Sequence, residues 1–123
     1  MKDSYENTLL SGWEDVYKKS QLTLWILLAL KDAPKHMSQI KQFIVSISGD
    51  AMAADDQSMY RALRRFKDAQ MVDFTLRAGT KGPDLKQYYL TSTGRSVLAQ
   101  FLERNISSVF YNKQVQELIQ GEQ

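Results

Sequence analysis

The feature that most constrains the fold is a change of hydrophobic period near residue 71. Before it, apolar side chains recur every three or four residues, as on one face of a helix: Met59, Tyr60, Leu63 and Phe66. After it, in VDFTLR, apolar and polar side chains alternate, which is typical of a strand. We therefore predict a helix over about residues 56–69 that leads into a strand, with its four apolar side chains facing the core.

The strand is the first half of a predicted β-hairpin over about residues 71–90. A turn-rich run, GTKGPD, separates VDFTLR from a second strand-like run, LKQYYL. Within that run Tyr88 and Tyr89 point to opposite faces, so only one of them can be buried in the domain.

Helices are predicted on both sides of this unit. Apolar stripes indicate helices over residues 5–18 and 20–31, the second of which is apolar nearly all round and should be buried. Ser38 is interpreted as the N-cap of the next helix, and Ser48-Gly49-Asp50 as its end. A last helix is capped by Thr91 and reaches about Ile119, either unbroken or broken near Asn112.

Two shorter features precede the 56–69 helix. Residues 51–54 predict a small strand, and Asp55 or Asp56 supplies a carboxylate near the free N–H groups of the helix start. In this order, three helices followed by a two-stranded ribbon predict a mainly α chain with a small β-hairpin. The corresponding architecture is a winged helix-turn-helix with additional N- and C-terminal helices.

Positive charge is concentrated in one segment of the chain. Residues 58–95 carry eight basic and three acidic side chains, whereas residues 1–57 carry six basic and eight acidic ones and residues 96–123 carry two and three. The net charge of the whole chain is only +2. Such local asymmetry favours a face that binds a polyanion.

The 56–69 helix carries its polar side chains on the side opposite the apolar ones. Arginine pairs with guanine, glutamine with adenine, and serine with base or phosphate, so this set suits the major groove of DNA. An amphipathic helix with three arginines is otherwise an ordinary solvated surface, but the neighbouring basic hairpin favours DNA. The side chains in question are Gln57, Ser58, Arg61, Arg64 and Arg65.

Further basic residues extend the predicted DNA contact. Lys81 at the hairpin turn and Lys86 on the return strand, with Arg77, are expected to contact phosphate, and Arg95 to reach the backbone from the start of the last helix. Lys67 lies on the apolar side of its helix, where its stem should pack while its ammonium reaches solvent.

Three stretches resemble the PadR-like winged-helix transcriptional regulators. SMYRALRRFKDAQMV is similar to the recognition helix of that family, GPDLKQYYLTSTGR to the second wing strand and the start of the final helix, and LTLWILLALKDAPKHMSQI to the first core helix. Together they cover roughly residues 20–102. The compact C-terminal part resembles the subgroup with a single C-terminal helix.

The chain departs from the family pattern at two places. Met37-Ser38 stands where the family usually has a glycine-tyrosine pair, at the turn into the second core helix. Gln70 stands where a glycine is usual, which suggests a different exit from the third helix.

The resemblance implies a homodimeric regulator, usually a repressor, whose N- and C-terminal helices form the dimer. The apolar stripes of these helices, including Trp13 and Phe101, independently indicate more apolar surface than a monomer of 123 residues covers easily. Some family members accommodate flat aromatic compounds, and Trp13, Trp25 and Tyr89 are candidates for such an effector pocket. Aromatic side chains on helix faces are more often core residues.

Several classes of function are not supported. The chain has no cysteine, which excludes disulfides, thiolate metal sites and cysteine catalysis. The single histidine, His36, is interpreted as a loop residue, and no catalytic or metal-binding constellation occurs. We therefore predict neither enzyme activity nor a cofactor. No signal segment precedes the domain and the apolar run 22–30 is too short to cross a bilayer, so a cytoplasmic location is expected.

The sequence thus predicts a transcriptional regulator, a homodimeric repressor that binds a pseudo-palindromic operator on double-stranded DNA and is released by a small aromatic effector. Residues 1–19 and 93–123 are assigned to dimerisation and residues 20–92 to the winged-helix DNA-binding domain, all within one compact domain. The alternative is a winged-helix protein-interaction module that binds an acidic partner without specific DNA binding.

Overall fold

The computed structural model describes residues 2–49, 52, 54–79 and 81–121. Its elements follow the predicted order of helices, hairpin and helix, and this confirms the mainly α fold with one antiparallel hairpin. The elements are α1 (Lys2–Asp32), α2 (Met37–Ser48), α3 (Asp56–Asp68), β1 (Val72–Arg77), β2 (Leu85–Leu90), α4 (Ser92–Leu102), a π-helical turn (Glu103–Ser107), α5 (Ser108–Phe110) and α6 (Lys113–Gln120).

The helices predicted over residues 5–18 and 20–31 form a single continuous helix in the structure, so the sequence prediction was wrong here. α1 runs without interruption through residues 18–20, where the Ser20 hydroxyl donates to the carbonyl oxygen of Tyr17 at 2.7 Å. Gly12 costs a helix interior only about 1 kcal/mol, and no proline or left-handed residue occurs before Asp32. At 1.5 Å per residue, α1 is about 46 Å long. It ends just before Ala33-Pro34, as predicted.

The core is built around the C-terminal half of α1, as its apolar sequence predicts. Tyr60 is an exception to the expected core, because 48% of its surface remains exposed. On a helical wheel it lies at the border of the apolar face, whereas Met59 and Leu63, nearer the centre of that face, are each 1% exposed. The most deeply buried large side chains are Ile26, Leu30, Ile40, Ile44, Met59, Leu63, Leu98 and Val72.

α2 begins two residues earlier than predicted, with His36 and not Ser38 as its N-cap. The backbone of Lys35 pairs with Tyr88 of β2 through two hydrogen bonds of 3.0 and 2.8 Å, which holds the chain extended up to the helix start. The Gln39 side chain then accepts from the His36 N–H at 3.1 Å. The helix ends at Gly49, whose φ of 61° is left-handed, as the predicted stop requires.

The segment before α3 is only partly described. The strand predicted for residues 51–54 includes residues 51 and 53, which lie outside the described part. Met52 is buried in a turn and Ala54 has no regular structure. α3 itself starts at the predicted cap, because the Asp55 carboxylate accepts from the Ser58 N–H at 2.7 Å.

The exit from α3 turns at Gln70, in the left-handed backbone region that glycine adopts most easily. Gln70 adopts a φ of 63°, and is the one non-glycine residue with positive φ among those described. Thr91 holds this exit, since its hydroxyl donates to the Gln70 carbonyl oxygen at 2.6 Å and its N–H donates to the Met71 carbonyl oxygen at 3.1 Å.

Thr91 also caps α4, as predicted, by accepting from the Gly94 N–H at 3.0 Å. Of the two alternatives for the last helix, the structure has the broken one, and the Asn112 side chain caps α6 by accepting from the Gln114 N–H at 2.8 Å. The π-helical turn has no counterpart in the sequence prediction. No helix in the described part of the chain is both long and apolar enough to cross a membrane.

Candidate nucleic-acid interface

The outer face of α3 presents the predicted polar side chains to solvent. Gln57, Arg61, Arg64 and Arg65 are all exposed, whereas Leu63 on the opposite side is 1% exposed. The helix is therefore fixed through its apolar face while three guanidinium groups and one amide point outward. This arrangement suits the reading of base edges.

The start of α3 is ordered by a network of short polar contacts. The Ser58 N–H and hydroxyl both donate to the Asp55 carboxylate, at 2.7 and 3.0 Å, and these two hydrogen bonds hold the pKa of Asp55 below its usual value. Ser58 is thus half-buried and its hydroxyl proton is used in the cap. Its oxygen can still accept from a ligand.

An ion pair that the sequence prediction missed links α2 to the same helix start. The Lys41 ammonium lies 2.6 Å from the Asp56 carboxylate, and both side chains remain largely open to solvent. The pair joins residues 15 positions apart on different helices, so no local spacing could have indicated it.

The hairpin carries its basic side chains on both strands and at its tip. Its register pairs Phe74 with Tyr88 and Leu76 with Lys86. Arg77 is exposed, and its Nε donates to the Gln87 side chain at 2.8 Å across the strands. Lys86 is exposed, and its ammonium lies 4.8 Å from the centre of the Phe74 ring.

Lys81 is exposed at the hairpin tip, next to residue 80, which is not described. Almost half of the Lys67 side chain is exposed, in line with the prediction that its ammonium reaches solvent. The ammonium also lies 3.7 Å from the Asp73 carboxylate and over the Phe74 ring.

A groove of about 830 Å³ is lined by the start of α2, the start of α3 and β2. Beyond the predicted site residue Lys86, it includes the exposed Tyr60, the N-terminal turn of α2 and the Lys41–Asp56 pair. Burial raises the pKa of Tyr88 at the base of this groove, and the adjacent Tyr60 raises it further. The lining residues are His36, Met37, Ser38, Lys41, Gln42, Asp56, Tyr60, Asp84, Leu85, Lys86 and Tyr88.

Arg95 is exposed in the first turn of α4 and is not among the lining residues of this groove. The groove thus joins the first turns of α3 to Lys86 of the hairpin, whereas Arg95 lies on a separate element.

The three candidate pocket residues do not meet within one chain. Trp13 and Trp25 are twelve residues apart on α1, about 18 Å along its axis, and Trp13 is 74% exposed. Tyr89 is half-buried on β2, whereas Tyr88 is the buried member of the pair. Within the described residues, the Trp25 Nε1–H is buried without an acceptor.

A different cavity, of about 400 Å³, lies between α1 and α4. Its walls are mainly apolar and include Leu24, Phe66, Val97, Phe101 and Phe110. None of the three aromatic candidates lines it.

Comparison with solved structures returns the same architecture. A PadR-like transcription factor from Bacteroides fragilis is 25% identical with a TM-score of 0.64, covering 87% of this chain and 98% of its own. A PadR-like transcriptional regulator from Bacillus cereus is 24% identical with a TM-score of 0.65, covering 85% and 96%. PadR from Bacillus subtilis, solved in complex with operator DNA, is 22% identical with a TM-score of 0.59, covering 66% and 46%.

A comparison with curated protein sequences gave no match. The model of the transcriptional regulator PadR-like family matches residues 26–100, which span α1 from Ile26 through the hairpin into α4. This match covers more than half of the chain and includes every element of the winged helix. The protein therefore belongs to the PadR-like family of transcriptional regulators.

Proposed function

We propose that the protein regulates transcription by binding a specific double-stranded DNA sequence through α3 and the hairpin. The observation that carries this proposal is the outward face of α3, with Arg61, Arg64 and Arg65 exposed beside a basic hairpin. Family membership supports it, and so does the shared fold with PadR from Bacillus subtilis, which is bound to operator DNA.

The proposed division of labour follows the geometry of the two elements. Side chains near the start of a recognition helix contact base edges, so Gln57, Arg61 and Arg64 are assigned to the bases and Ser58 to a contact in which it accepts. Phosphate contacts supply affinity without sequence choice. The phosphate contacts are assigned to Lys81, Lys86, Arg77 and Arg95. Arg65 is a candidate for both kinds of contact, with a base edge and with a phosphate.

The protein is further proposed to act as a homodimer. The N-terminal half of α1 exposes a row of large apolar side chains, among them Leu9, Trp13 and Val16, and α4 to α6 expose another. Surfaces of this kind are rare on monomers, and isologous pairing would bury both. Two copies of α3 would then read half-sites about one DNA turn apart.

Repression is the proposed sign of regulation, with release by a small aromatic compound. Because Trp13, Trp25 and Tyr89 are separated in one chain, an effector pocket formed from them requires the second copy.

Selection of bound fragments from genomic DNA, followed by titration on a selected fragment at several salt concentrations, tests the proposal. Arg61→Ala should weaken binding to the selected fragment by about 1–3 kcal/mol and relax sequence choice at one position. Lys81→Ala should weaken binding to all sequences about equally and lower the slope of log K against log salt concentration by about 1.

Lys31→Ala is the matched control, because Lys31 is an exposed basic residue outside both the 58–95 segment and the residues assigned to dimerisation. It should bind like wild type. If Arg61→Ala also binds like wild type at every salt concentration, the placement of α3 in the major groove is wrong. Affinity that never exceeds the nonspecific level would instead favour a protein-interaction module for an acidic partner.

A further inference from the structure

The Phe74 ring lies where the recognition helix and the hairpin meet. Along one face of β1, Val72 is buried at 1% exposure, Phe74 is half-buried and Leu76 is 61% exposed. Phe74 is therefore the last residue of the core before the hairpin extends into solvent. Its cross-strand partner Tyr88 packs against it edge to face, with ring centres 5.7 Å apart.

Two ammonium groups from different elements approach this ring. Lys67, from the last turn of α3, lies 5.4 Å from the ring centre, and Lys86, from β2, lies 4.8 Å from it. Both distances are within the range in which an aromatic quadrupole attracts a cation. Both side chains remain exposed, so each ammonium keeps a side that a phosphate can reach.

Asp73 completes the arrangement. Its carboxylate accepts from the Phe74 N–H at 2.8 Å and lies 3.7 Å from the Lys67 ammonium. The carboxylate thus fixes the backbone beneath the ring and holds one of the two cations.

From these contacts we infer that Phe74 is a positioning residue, which holds Lys67 and Lys86 as a preorganised pair of cations and so sets the spacing between recognition helix and wing. The inference rests on the proposed DNA binding. It adds to that function a phosphate contact from Lys67, a residue that the helical period places on the apolar side of α3. A lysine loses considerable rotamer freedom when it is fixed on a phosphate. A ring that already restrains the ammonium removes part of that cost.

The contact itself can be measured without DNA. Protons held over an aromatic ring experience its ring current, so the ε-methylene signals of two lysines should be shifted upfield in the wild-type NMR spectrum. Lys67→Arg and Lys86→Arg identify these signals. Phe74→Tyr keeps the ring and should keep both shifts, whereas Phe74→Leu should abolish them.

The role in binding is measured by a double-mutant cycle on a DNA fragment selected by the wild-type protein. Phe74→Leu should weaken binding about two- to fivefold, and Lys86→Ala should cost less in the Phe74→Leu background by a similar factor. Phe74→Tyr should bind like wild type. Val72→Ala, which loosens the same face of the hairpin without touching the ring, should lower stability but leave the Phe74–Lys86 coupling intact.

Additive effects of Phe74→Leu and Lys86→Ala, or lysine signals that do not respond to Phe74→Leu, would overturn the inference while leaving specific DNA binding established. A wild-type protein without preference for any selected fragment would instead overturn the proposed function, and the lysine signals would still decide whether Phe74 holds the two ammonium groups.

Discussion

Replacing Gln70 with glycine should stabilise the protein, although glycine usually destabilises. A non-glycine residue in the left-handed region costs about 1–2 kcal/mol, and Gln70 has a φ of 63°. Glycine also lowers the free energy of unfolding by about 0.5–1 kcal/mol, because it gives the unfolded chain more conformational freedom. The hydrogen bonds at this residue use its backbone oxygen, which accepts from Thr91, and its backbone N–H, which donates to Lys67, so the substitution keeps them. The expected net gain for Gln70→Gly is about 0.5–1 kcal/mol.

Ala69→Gly is the matched control, one residue earlier. Ala69 has a φ of −82° and a ψ of 0°, so glycine relieves no strain there and should cost about 0.5–1 kcal/mol. Urea unfolding at one fixed protein concentration measures both variants, with equal slopes as the check that only stability has changed. If Gln70→Gly destabilises as much as Ala69→Gly, the positive φ carries no strain and the reasoning fails.

Two further predictions concern packing and assembly. Gly94→Ala should destabilise the protein by about 1–3 kcal/mol in thermal unfolding, because a Cβ there would overlap the backbone of Met71. Gly12→Ala should instead stabilise the protein by up to about 1 kcal/mol, because Gly12 lies in a helix interior with open space around it. Trp13→Asp should shift the mass measured by light scattering from a dimer towards the 14.1 kDa monomer, and an unchanged dimer would remove the N-terminal half of α1 from the interface.

The parts of the fold that the sequence predicted are those that depend on neighbouring residues. Alternating apolar and polar side chains predict β1, and single side chains next to free backbone groups predict the caps at Asp55 and Thr91. The exposure of the α3 arginines follows from the helical period alone. Each of these signals is complete within about ten residues.

The errors arise where distant residues decide the outcome. The exposure of Tyr60 depends on which elements pack over α3, and the early start of α2 depends on the pairing of Lys35 with Tyr88. The Lys41–Asp56 pair requires the packed arrangement of two helices. The unbroken α1 is a further case, because an amphipathic stretch over residues 5–18 and a nearly all-round apolar stretch over residues 20–31 predict two helices, whereas the structure has one.

The junction at Thr91 connects the proposed DNA-binding and dimerisation surfaces. Its hydroxyl donates to the exit of α3 at Gln70 and accepts from Gly94 in α4, while its N–H donates to Met71. Gly94 packs against the same Met71 backbone so closely that no side chain fits. The end of α3 and the start of α4 are therefore connected through Thr91 and through the close contact of Gly94 with the Met71 backbone. In the proposed dimer, the distance between the two recognition helices would then be set by the packing of α1 and α4, and the hairpin would follow α3 through Phe74.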